Sequence, residues 1–402
     1  MSMRSEVPDD FIRWLSKSKK VDVNAADFVE RRLYGEYVED TFMRVSALSA
    51  NRVFFRRACA TMLQENSRFT SVLLDDGSVI EASAIVLATG SPSPADPACL
   101  ARFTEKHYAR FAWSKSALDG IPEDGAVLLV GCGLTGVDQA LALRAKGFRG
   151  TVLMASRRGR LPAVQKGDCG TWSRSWAAMP FPRVSALVAE VRRQIQLAES
   201  EGIDWRAVID SLRVDTPRIW MAWSDGERRR FLRHVRPVWE TARHRLPPKT
   251  FGILMRLIHS GEVRIIAGRL LDVTESGDDA RLRIKIATGT DHTVEVVVDR
   301  VVNCTGPAMS SHAQEPILLN AVRSGLAQFD HVGLGICTDD LGRLISAEGA
   351  PARSIYTIGP LRKPQLWEST AVQEIRDQAH ALALRILAEI AEDSQVVCLK
   401  TC

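Results

Sequence analysis

The sequence of 402 residues lacks the short cysteine and histidine motifs that mark metal and thiol-redox sites. Its eight cysteines are scattered and no two are spaced C-x-x-C, so neither a zinc site nor a dithiol redox centre is predicted. Its histidines show no H-x-x-x-H or H-E-x-x-H spacing, and no G-x-S-x-G turn presents a nucleophilic serine. We therefore expect no metal centre and interpret the cysteines as structural thiols.

Long apolar runs are also missing. The longest, such as Ala84–Ala88 and Ala126–Val130, fall far short of the roughly 18 residues that a membrane-spanning helix needs. The segment Met1–Lys20 is charged and holds no apolar core of a signal peptide. The 53 basic and 48 acidic residues leave a formal net charge of only +5, which by itself selects no class of partner. We expect a cytoplasmic protein with a small-molecule substrate, without specific nucleic-acid binding and without membrane binding.

The clearest local pattern is a strand, a glycine-rich turn and a helix. The apolar strand Ala126–Val130 leads into Gly131-Cys132-Gly133-Leu134-Thr135-Gly136, and a helix is predicted from about Thr135 to Lys146. In a G-x-G-x-x-G turn of this kind the first glycine permits the tight turn, the second admits a pyrophosphate, and the third permits close helix packing. The alternative is a glycine-rich turn without a ligand. The residues predicted to bind a dinucleotide are Gly131, Gly133, Leu134, Thr135 and Gly136.

The next strand, Thr151–Ala155, ends in Ser156-Arg157-Arg158, where NAD-specific sites usually carry an acidic residue for the ribose. No acid is present here, and two guanidinium groups can pair with the 2′-phosphate of NADPH. Ser156, Arg157 and Arg158 therefore predict NADPH rather than NADH as the cofactor. The alternative is a basic loop exposed to solvent.

Short strands flank this unit in an order that occurs twice. Thr70–Leu74, a turn and Ser78–Ala82 precede the apolar strand Ala84–Ala88, which ends in Thr89-Gly90. The same order returns from Leu282 onward and closes in a strand followed by Thr305-Gly306. The repetition predicts that one substructure is used twice.

Helices are predicted at both ends of the chain and in its middle. Val7–Asn51 has helical spacing, and residues 185–260 read as a helical insertion. Near the C-terminus, the strand Ser354–Ile358 ends in Gly359-Pro360, and a long helix follows from about Ala371 to Ala391 with Ser369 or Thr370 as its N-cap. The tryptophans of the insertion are interpreted as packing residues: Trp205, Trp220, Trp223 and Trp239.

These strand ends resemble those of the two-dinucleotide-binding flavoproteins, the class that holds disulfide reductases and flavin-dependent monooxygenases. Ile85–Gly90 is similar to their strand that closes in Ala-Thr-Gly, Val301–Pro307 to a second copy of it, and Ile355–Pro360 to the late strand that reaches the flavin. Three further stretches resemble a bacterial family of FAD- and NAD(P)-binding proteins of mostly unassigned substrate: Arg31–Tyr37, Phe231–Trp239 and Leu366–Val372.

The resemblance implies an α/β, Rossmann-like fold of two dinucleotide-binding domains. We expect an FAD-type domain from residues 1–100 and 291–402, and an inserted NADPH-binding domain from residues 101–290 that includes the helical insertion. The resemblance also implies that the helix beginning near Ser369 points its N-terminus at the flavin, where its dipole stabilises the reduced form. The flavin-binding residues that it implies are Thr89, Gly90, Thr305, Gly306, Gly359, Pro360, Trp367, Ser369 and Thr370.

The sequence departs from the family at two points. The family begins with its own FAD-binding strand and G-x-G-x-x-G turn, whereas the first glycine here is Gly35. We therefore expect an N-terminally incomplete FAD-type domain, which a longer chain, a homo-oligomer or a partner chain completes, or which is a remnant. The family also usually places Asp where Pro360 follows Gly359 here.

Our first hypothesis is an NADPH-dependent flavoprotein oxidoreductase of the monooxygenase type, passing hydride from NADPH to FAD and on to a substrate or oxygen. No catalytic side chain is assigned, because the cofactors carry that chemistry. The second hypothesis is a truncated or degenerate NADP-binding protein without flavin, as a subunit of a complex. The third is a simple NADPH dehydrogenase that uses the central unit alone. Bound flavin separates the first hypothesis from the other two.

Overall fold

The computed structural model describes residues 2–24, 26–49, 52–66, 68–173, 176, 180–277, 281–308 and 314–399. The chain divides into two compact units. Unit 1 comprises Met1–Ser91, Val214–Ala222 and His312–Cys402, and unit 2 comprises Pro92–Arg213 and Trp223–Ser311. Unit 2 thus extends at both ends beyond the predicted NADPH-binding domain of residues 101–290, and a short piece of the helical insertion belongs to unit 1.

The helices are α1 (Asp10–Trp14), α2 (Arg31–Leu48), α3 (Leu134–Ala145), α4 (Val184–Ser200), α5 (Trp205–Ser211), α6 (Thr216–Met221), α7 (Asp225–Arg230), α8 (Arg236–Arg243), α9 (Pro248–His259), α10 (Pro316–Arg323), α11 (Lys363–Leu366) and α12 (Val372–Leu399). The strands are β1 (Ala60–Glu65), β2 (Thr70–Leu74), β3 (Val79–Ala82), β4 (Ile85–Leu87), β5 (Tyr108–Ala109), β6 (Ala126–Val130), β7 (Thr151–Ser156), β8 (Val263–Ala267), β9 (Arg269–Ser276), β10 (Arg281–Ala287), β11 (Thr293–Val298), β12 (Arg300–Asn303), β13 (Arg343–Ile345) and β14 (Pro351–Thr357). None of the helices in the described ranges is both long enough and apolar enough to span a membrane.

The core of unit 2 is a five-stranded parallel sheet in the order β5-β12-β6-β7-β8. The side chains of β6 alternate between the two faces of this sheet. Val127 and Leu129 pack with Val137 of α3 in one buried cluster, whereas Leu128 and Val130 pack on the other face with side chains of β9, β10 and β11. Because both faces are covered, the strand is apolar throughout.

The repeat predicted from the sequence is present in the structure. β1, β2 and β3 form an antiparallel sheet before the chain enters β4, and β9, β10 and β11 form another before the chain enters β12. In each copy the last strand pairs in parallel, β4 with β14 and β12 with β5 and β6. The two copies lie in different units, so Thr305-Gly306 follows a strand of unit 2. β12, near the start of residues 291–402, therefore belongs to unit 2, because it is hydrogen-bonded between β5 and β6.

Unit 1 contains a second small sheet, β13-β14-β4, in which β4 runs parallel to β14. Thr357 lies opposite Leu87, and its Oγ1 donates to the Leu87 carbonyl oxygen at 2.9 Å. Leu87 and Ile355 belong to a buried cluster with Leu318 of α10. Parallel strands end at the same edge of a sheet, so the residues that follow β4 and β14 both begin at that edge.

In the described residues of the N-terminal segment predicted as one helix, the structure has two α-helices. α1 continues into a π-helical turn, Leu15–Lys19, which ends where Lys20 adopts a left-handed conformation with φ 54°. α2 begins only at Arg31. Phe11 and Tyr37 belong to one buried cluster, with ring centroids 5.1 Å apart. The apolar spacing in the sequence is therefore that of two helices packed on each other.

Candidate functional site

The glycine-rich turn of unit 2 joins β6 to α3 at the carboxyl edge of the parallel sheet. Gly131 has φ +129°, and a Cβ atom there would lie 2.4 Å from the carbonyl oxygen of Cys304, which follows the neighbouring strand β12. A Cβ atom at Gly136 would lie 2.1 Å from the carbonyl oxygen of Gly131. Real Cβ atoms essentially never show contacts under 3.0 Å, so both positions need glycine for the chain itself to pack.

Gly133 differs from these two glycines. It is exposed, it caps α3 with extended backbone angles (φ −77°, ψ −171°), and a Cβ atom there would meet nothing within 4 Å. The open space lies at the start of α3, whose first residues are Leu134 and Thr135. The free N–H groups and the dipole of a helix N-terminus attract anions. Gly133 therefore leaves a cradle that a Cβ atom would fill and that suits a pyrophosphate group.

The loop after β7 carries Arg157 and Arg158, the two arginines that the sequence predicts to pair with the 2′-phosphate of NADPH. Ser156 Oγ accepts a hydrogen bond from the Gly159 N–H at 3.1 Å and so closes the loop on itself. Arg157 and Arg158 are exposed, and neither makes a hydrogen bond or ion pair with the part of the chain that the structure describes. β7 pairs in parallel with β6, so Arg157 and Arg158 follow β7 at the same edge of the sheet at which Gly133 follows β6. The structure thus makes Ser156 a loop-forming residue and leaves the two arginines available to a ligand.

Thr305-Gly306 lies on the other side of the glycine-rich turn, because β12 is the second neighbour of β6. Asn303 Oδ1 accepts hydrogen bonds from the Thr305 N–H at 3.2 Å and from its hydroxyl at 2.7 Å, and Asn303 Nδ2 donates to the Ala95 carbonyl oxygen at 3.0 Å. Gly306 has φ +79° and open space at its Cβ position. Asn303 was not among the predicted site residues, although Asn two residues before a turn is a signal for a local side-chain cap. The residues that follow β12, β6 and β7 therefore all lie at the carboxyl edge of the parallel sheet.

Two thiols lie beneath this edge. Cys132 and Cys304 are buried in the same hydrophobic cluster, and burial raises the pKa of both thiols. Both therefore stay protonated at neutral pH, whereas redox and metal chemistry need the thiolate. Among the residues that the structure describes, no group of His, Cys, Asp and Glu side chains is arranged to hold a metal ion. Burial therefore keeps Cys132 and Cys304 in the unreactive thiol form at neutral pH.

In unit 1 the predicted residues divide into accessible and buried ones. Thr89 and Gly90 are exposed after β4, where Gly90 has φ +73° and open space at its Cβ position. Gly359 and Pro360 are buried after β14, and the Gly359 N–H donates to Oε1 of Gln378 at 2.9 Å. That N–H is therefore already satisfied, and the bond holds α12 against the end of β14. Gln378 carried no local sequence signal, because its role depends on how α12 docks.

The segment between α11 and α12 holds the other three predicted residues. Trp367 and Ser369 are buried, and Ser369 Oγ has no hydrogen-bond partner among the described residues. Thr370 is exposed just before α12 begins at Val372. Thr370 is therefore accessible to a ligand, whereas Trp367 and Ser369 support the turn from inside.

Residues 1–92 match a family model described as FAD-NAD(P)-binding, a range that nearly coincides with the first segment of unit 1. Among curated proteins, an uncharacterized protein of Mycobacterium tuberculosis is 28% identical over 154 residues, which cover 36% of this chain. An uncharacterized protein of Mycobacterium bovis matches equally. The match spans only 27% of the length of these relatives.

Several solved structures are similar over most of the chain. The reduced form of ornithine hydroxylase from Pseudomonas aeruginosa superposes with a TM-score of 0.62 at 13% identity, covering 97% of this chain and 84% of that one. An ornithine N-hydroxylase from Kutzneria sp. 744, with reduced FAD, NADP+ and L-ornithine, gives 0.62 at 13% identity over 96% of this chain and 84% of that one. The FAD-bound cadaverine monooxygenase from Erwinia amylovora gives 0.58 at 12% identity over 87% of this chain and 75% of that one. The predicted α/β fold of the two-dinucleotide-binding flavoproteins is therefore confirmed.

Proposed function

We propose that this protein is an NADPH-dependent flavoprotein oxidoreductase of the monooxygenase type, with NADPH bound by unit 2 and FAD by unit 1. The observation that carries the proposal is the glycine-rich turn. Packing of the chain requires Gly131 and Gly136, whereas Gly133 leaves open space at the N-terminus of α3. A turn with this division of roles fits the pyrophosphate of a dinucleotide.

The charges beside the turn support NADPH over NADH. Arg157 and Arg158 are exposed at the neighbouring strand end, where an acidic residue would otherwise hold the ribose hydroxyls. Guanidinium groups form charge-assisted hydrogen bonds with a phosphate, and the 2′-phosphate is the group that distinguishes NADPH from NADH. Bound NADPH supplies hydride. In this account the turn fixes the pyrophosphate and the two arginines select the phosphorylated ribose.

The family match over residues 1–92 supports FAD in unit 1. Thr89, Gly90 and Thr370 are the accessible members of the predicted flavin site. α12 has 28 residues, and the dipole at the N-terminus of a helix stabilises negative charge placed there. Bound FAD supplies the two-electron chemistry between NADPH and a substrate or oxygen. The proposed roles of the chain are to hold the flavin and to favour its reduced form.

The structural similarity to the ornithine and cadaverine hydroxylases supports the monooxygenase type. We propose a small molecule as the substrate. The fold supplies no narrower choice, because one fold serves many substrates.

A second candidate is an NADP(H)-binding protein without flavin chemistry. Within the described residues of unit 1, no G-x-G-x-x-G turn joins a strand to a helix, so these residues offer no cradle for the pyrophosphate of FAD. A partner chain of different sequence that supplies such a turn would restore the first proposal.

Separate binding measurements test the two candidates. The purified protein is titrated with FAD and, independently, with NADPH and NADH, and Gly133→Ala serves as the matched variant for the dinucleotide site. The first proposal predicts binding of both FAD and NADPH, with NADPH affinity alone reduced in Gly133→Ala. NADPH binding without FAD binding would support the second candidate. Absence of NADPH binding to the wild type would contradict both.

A further inference from the structure

Trp367, shortly before α12, has a backbone conformation that bulky residues rarely adopt. Its angles are φ 58° and ψ −58°, and the Glu368 N–H donates to the carbonyl oxygen of Leu366 at 2.7 Å. A hydrogen bond across one residue of positive φ defines a γ-turn of the rare, strained type. Strain of this kind persists only where the surrounding structure holds it, and it concentrates at functional sites. The turn therefore needs neighbouring side chains to hold it. Its position shortly before α12 points to a functional role.

Two neighbouring side chains hold the Trp367 ring. Trp220 of α6 stacks on it, with ring centroids 4.8 Å apart and an interplanar angle of 28°. Lys363 Nζ lies 4.6 Å from the centroid of the same ring. Trp220 is itself fixed, because its indole N–H donates to the Pro364 carbonyl oxygen at 2.7 Å. The two tryptophans are only 1% and 4% exposed, so the stacked pair is protected from water.

Trp220 reaches this turn from a distant part of the sequence. It lies in Val214–Ala222, a short segment of unit 1 with chain of unit 2 on both sides. Within that segment Thr216, Ile219 and Trp220 are the buried residues of α6. One short helix of the helical insertion, α6, thus belongs to unit 1. Its largest side chain, Trp220, contacts the strained turn.

We propose that Trp220 is a positioning residue, which holds Trp367 in the γ-turn and thereby sets the course of Glu368–Thr370 and the start of α12. The functional consequence rests on the proposed function, which places the flavin at this helix N-terminus. The contact itself does not depend on it. When the stack is lost, the turn relaxes to ordinary backbone angles and the start of α12 shifts.

Hydrogen exchange of the backbone amides tests whether Trp220 holds the turn. Trp220→Leu removes the stack, and Trp220→Phe keeps an aromatic ring. Trp223→Leu is the matched control, because Trp223 is also buried and its indole N–H also donates to a carbonyl oxygen, that of Phe181 at 2.8 Å in unit 2. Mass spectrometry of peptides covering residues 361–375 should show at least tenfold faster exchange in Trp220→Leu. Trp220→Phe keeps the ring but loses the indole hydrogen bond to Pro364, so its exchange should lie between that of the wild type and that of Trp220→Leu, and the control should not change in this region.

A flavin readout tests the positioning role. In protein loaded with FAD, Trp220→Leu should alter the visible spectrum of the bound flavin and lower FAD affinity at least tenfold, while the control keeps both. Unchanged exchange in Trp220→Leu would overturn the inference, and faster exchange with an unaltered flavin would overturn the positioning role. A wild type that binds no FAD would refute the proposed function instead, and the exchange comparison would still decide whether Trp220 holds the turn.

Discussion

Gly133→Ala and Gly136→Ala each add one methyl group. We expect the first to weaken ligand binding and the second to destabilise the fold. At Gly133 the backbone angles suit alanine and no atom lies within 4 Å of the new Cβ, so the substitution creates no clash. Alanine is a poorer N-cap than glycine by roughly 0.5–1 kcal/mol, and the stiffer unfolded chain offsets about 0.4–1 kcal/mol of this loss. The free energy of unfolding of Gly133→Ala should therefore lie within about 0.5 kcal/mol of the wild type.

At Gly136 the new Cβ atom would lie 2.1 Å from the carbonyl oxygen of Gly131, a backbone atom that cannot rotate away. Overpacking of this kind costs about 1–3 kcal/mol, and the rigid carbonyl puts Gly136→Ala near the upper end. The higher helix propensity of alanine offsets about 1 kcal/mol. The net loss of about 2 kcal/mol should lower the melting temperature by roughly 4–8 °C for a unit of about 200 residues.

For NADPH affinity, we expect Gly133→Ala rather than Gly136→Ala to be the more damaging substitution. The methyl group of Gly133→Ala enters the space in front of α3, so the Kd for NADPH should rise at least tenfold, about 1.4 kcal/mol, at a nearly unchanged melting temperature. Fluorescence titration with NADPH and thermal denaturation of the same preparations measure the two quantities. Wild-type affinity in Gly133→Ala would refute the assignment of the cradle. A wild-type melting temperature in Gly136→Ala would refute the packing argument.

Three further predictions concern charge, burial and pH. In the double variant Arg157→Ala/Arg158→Ala, the Kd for NADPH should rise roughly ten- to hundredfold, because a hydrogen bond to a charged group contributes about 1.5–3 kcal/mol. The Kd for NADH should not change, and Arg149→Ala, at an exposed arginine just before β7, should alter neither value in parallel titrations. Arg300 is buried and donates to the carbonyl oxygens of Lys106, Ser116 and Ala117 at 2.8–3.0 Å. Arg300→Met leaves these acceptors unpaired and should lower the free energy of unfolding by about 3 kcal/mol in urea titrations, and a loss below about 1 kcal/mol would contradict this. Burial raises the pKa of all four tyrosines above the ordinary value of about 10, in Tyr34 and Tyr356 to about 12. The unfolded chain therefore loses tyrosine protons first, so the tyrosine contribution to stability should be constant from neutral pH to about pH 10 and fall between about pH 10 and 12. The measurement is the absorbance of tyrosinate as the pH is raised. A midpoint near pH 10 in the folded protein would contradict the raised pKa values.

The strand, turn and helix from Ala126 onward are predictable from the sequence because their signals are local. The apolar run, the three spaced glycines and Gly147, the residue directly after the predicted helix end at Lys146, each act within a few residues. The structure accordingly ends α3 at Ala145 and gives Gly147 φ +88°, a conformation that suits glycine at a helix end. The repeated order of two paired strands and an apolar strand is predictable for the same reason, since hairpin turns and alternation are short-range features.

Membership of the units could not be predicted in this way. β12 belongs to unit 2 because it pairs with β6, a strand far away in the sequence, and no residue near Arg300 signals that partner. α6 lies in unit 1, where Trp220 stacks on Trp367, and no local sequence signal indicates that contact. The buried state of Gly359 and Ser369 likewise depends on how the segments around α12 pack, so the sequence pattern did not distinguish them from the accessible Gly90. Tertiary contacts, not local propensity, decided these positions.

The most direct test of the central claim is the visible absorbance of the 402-residue protein after incubation with FAD and gel filtration, recorded before and after NADPH is added without oxygen. We predict that flavin absorbance stays with the protein and bleaches on addition of NADPH, and that NADH bleaches it more slowly. Colourless protein after gel filtration, or a retained flavin that NADPH leaves oxidised, would contradict the assignment as an NADPH-dependent flavoprotein oxidoreductase.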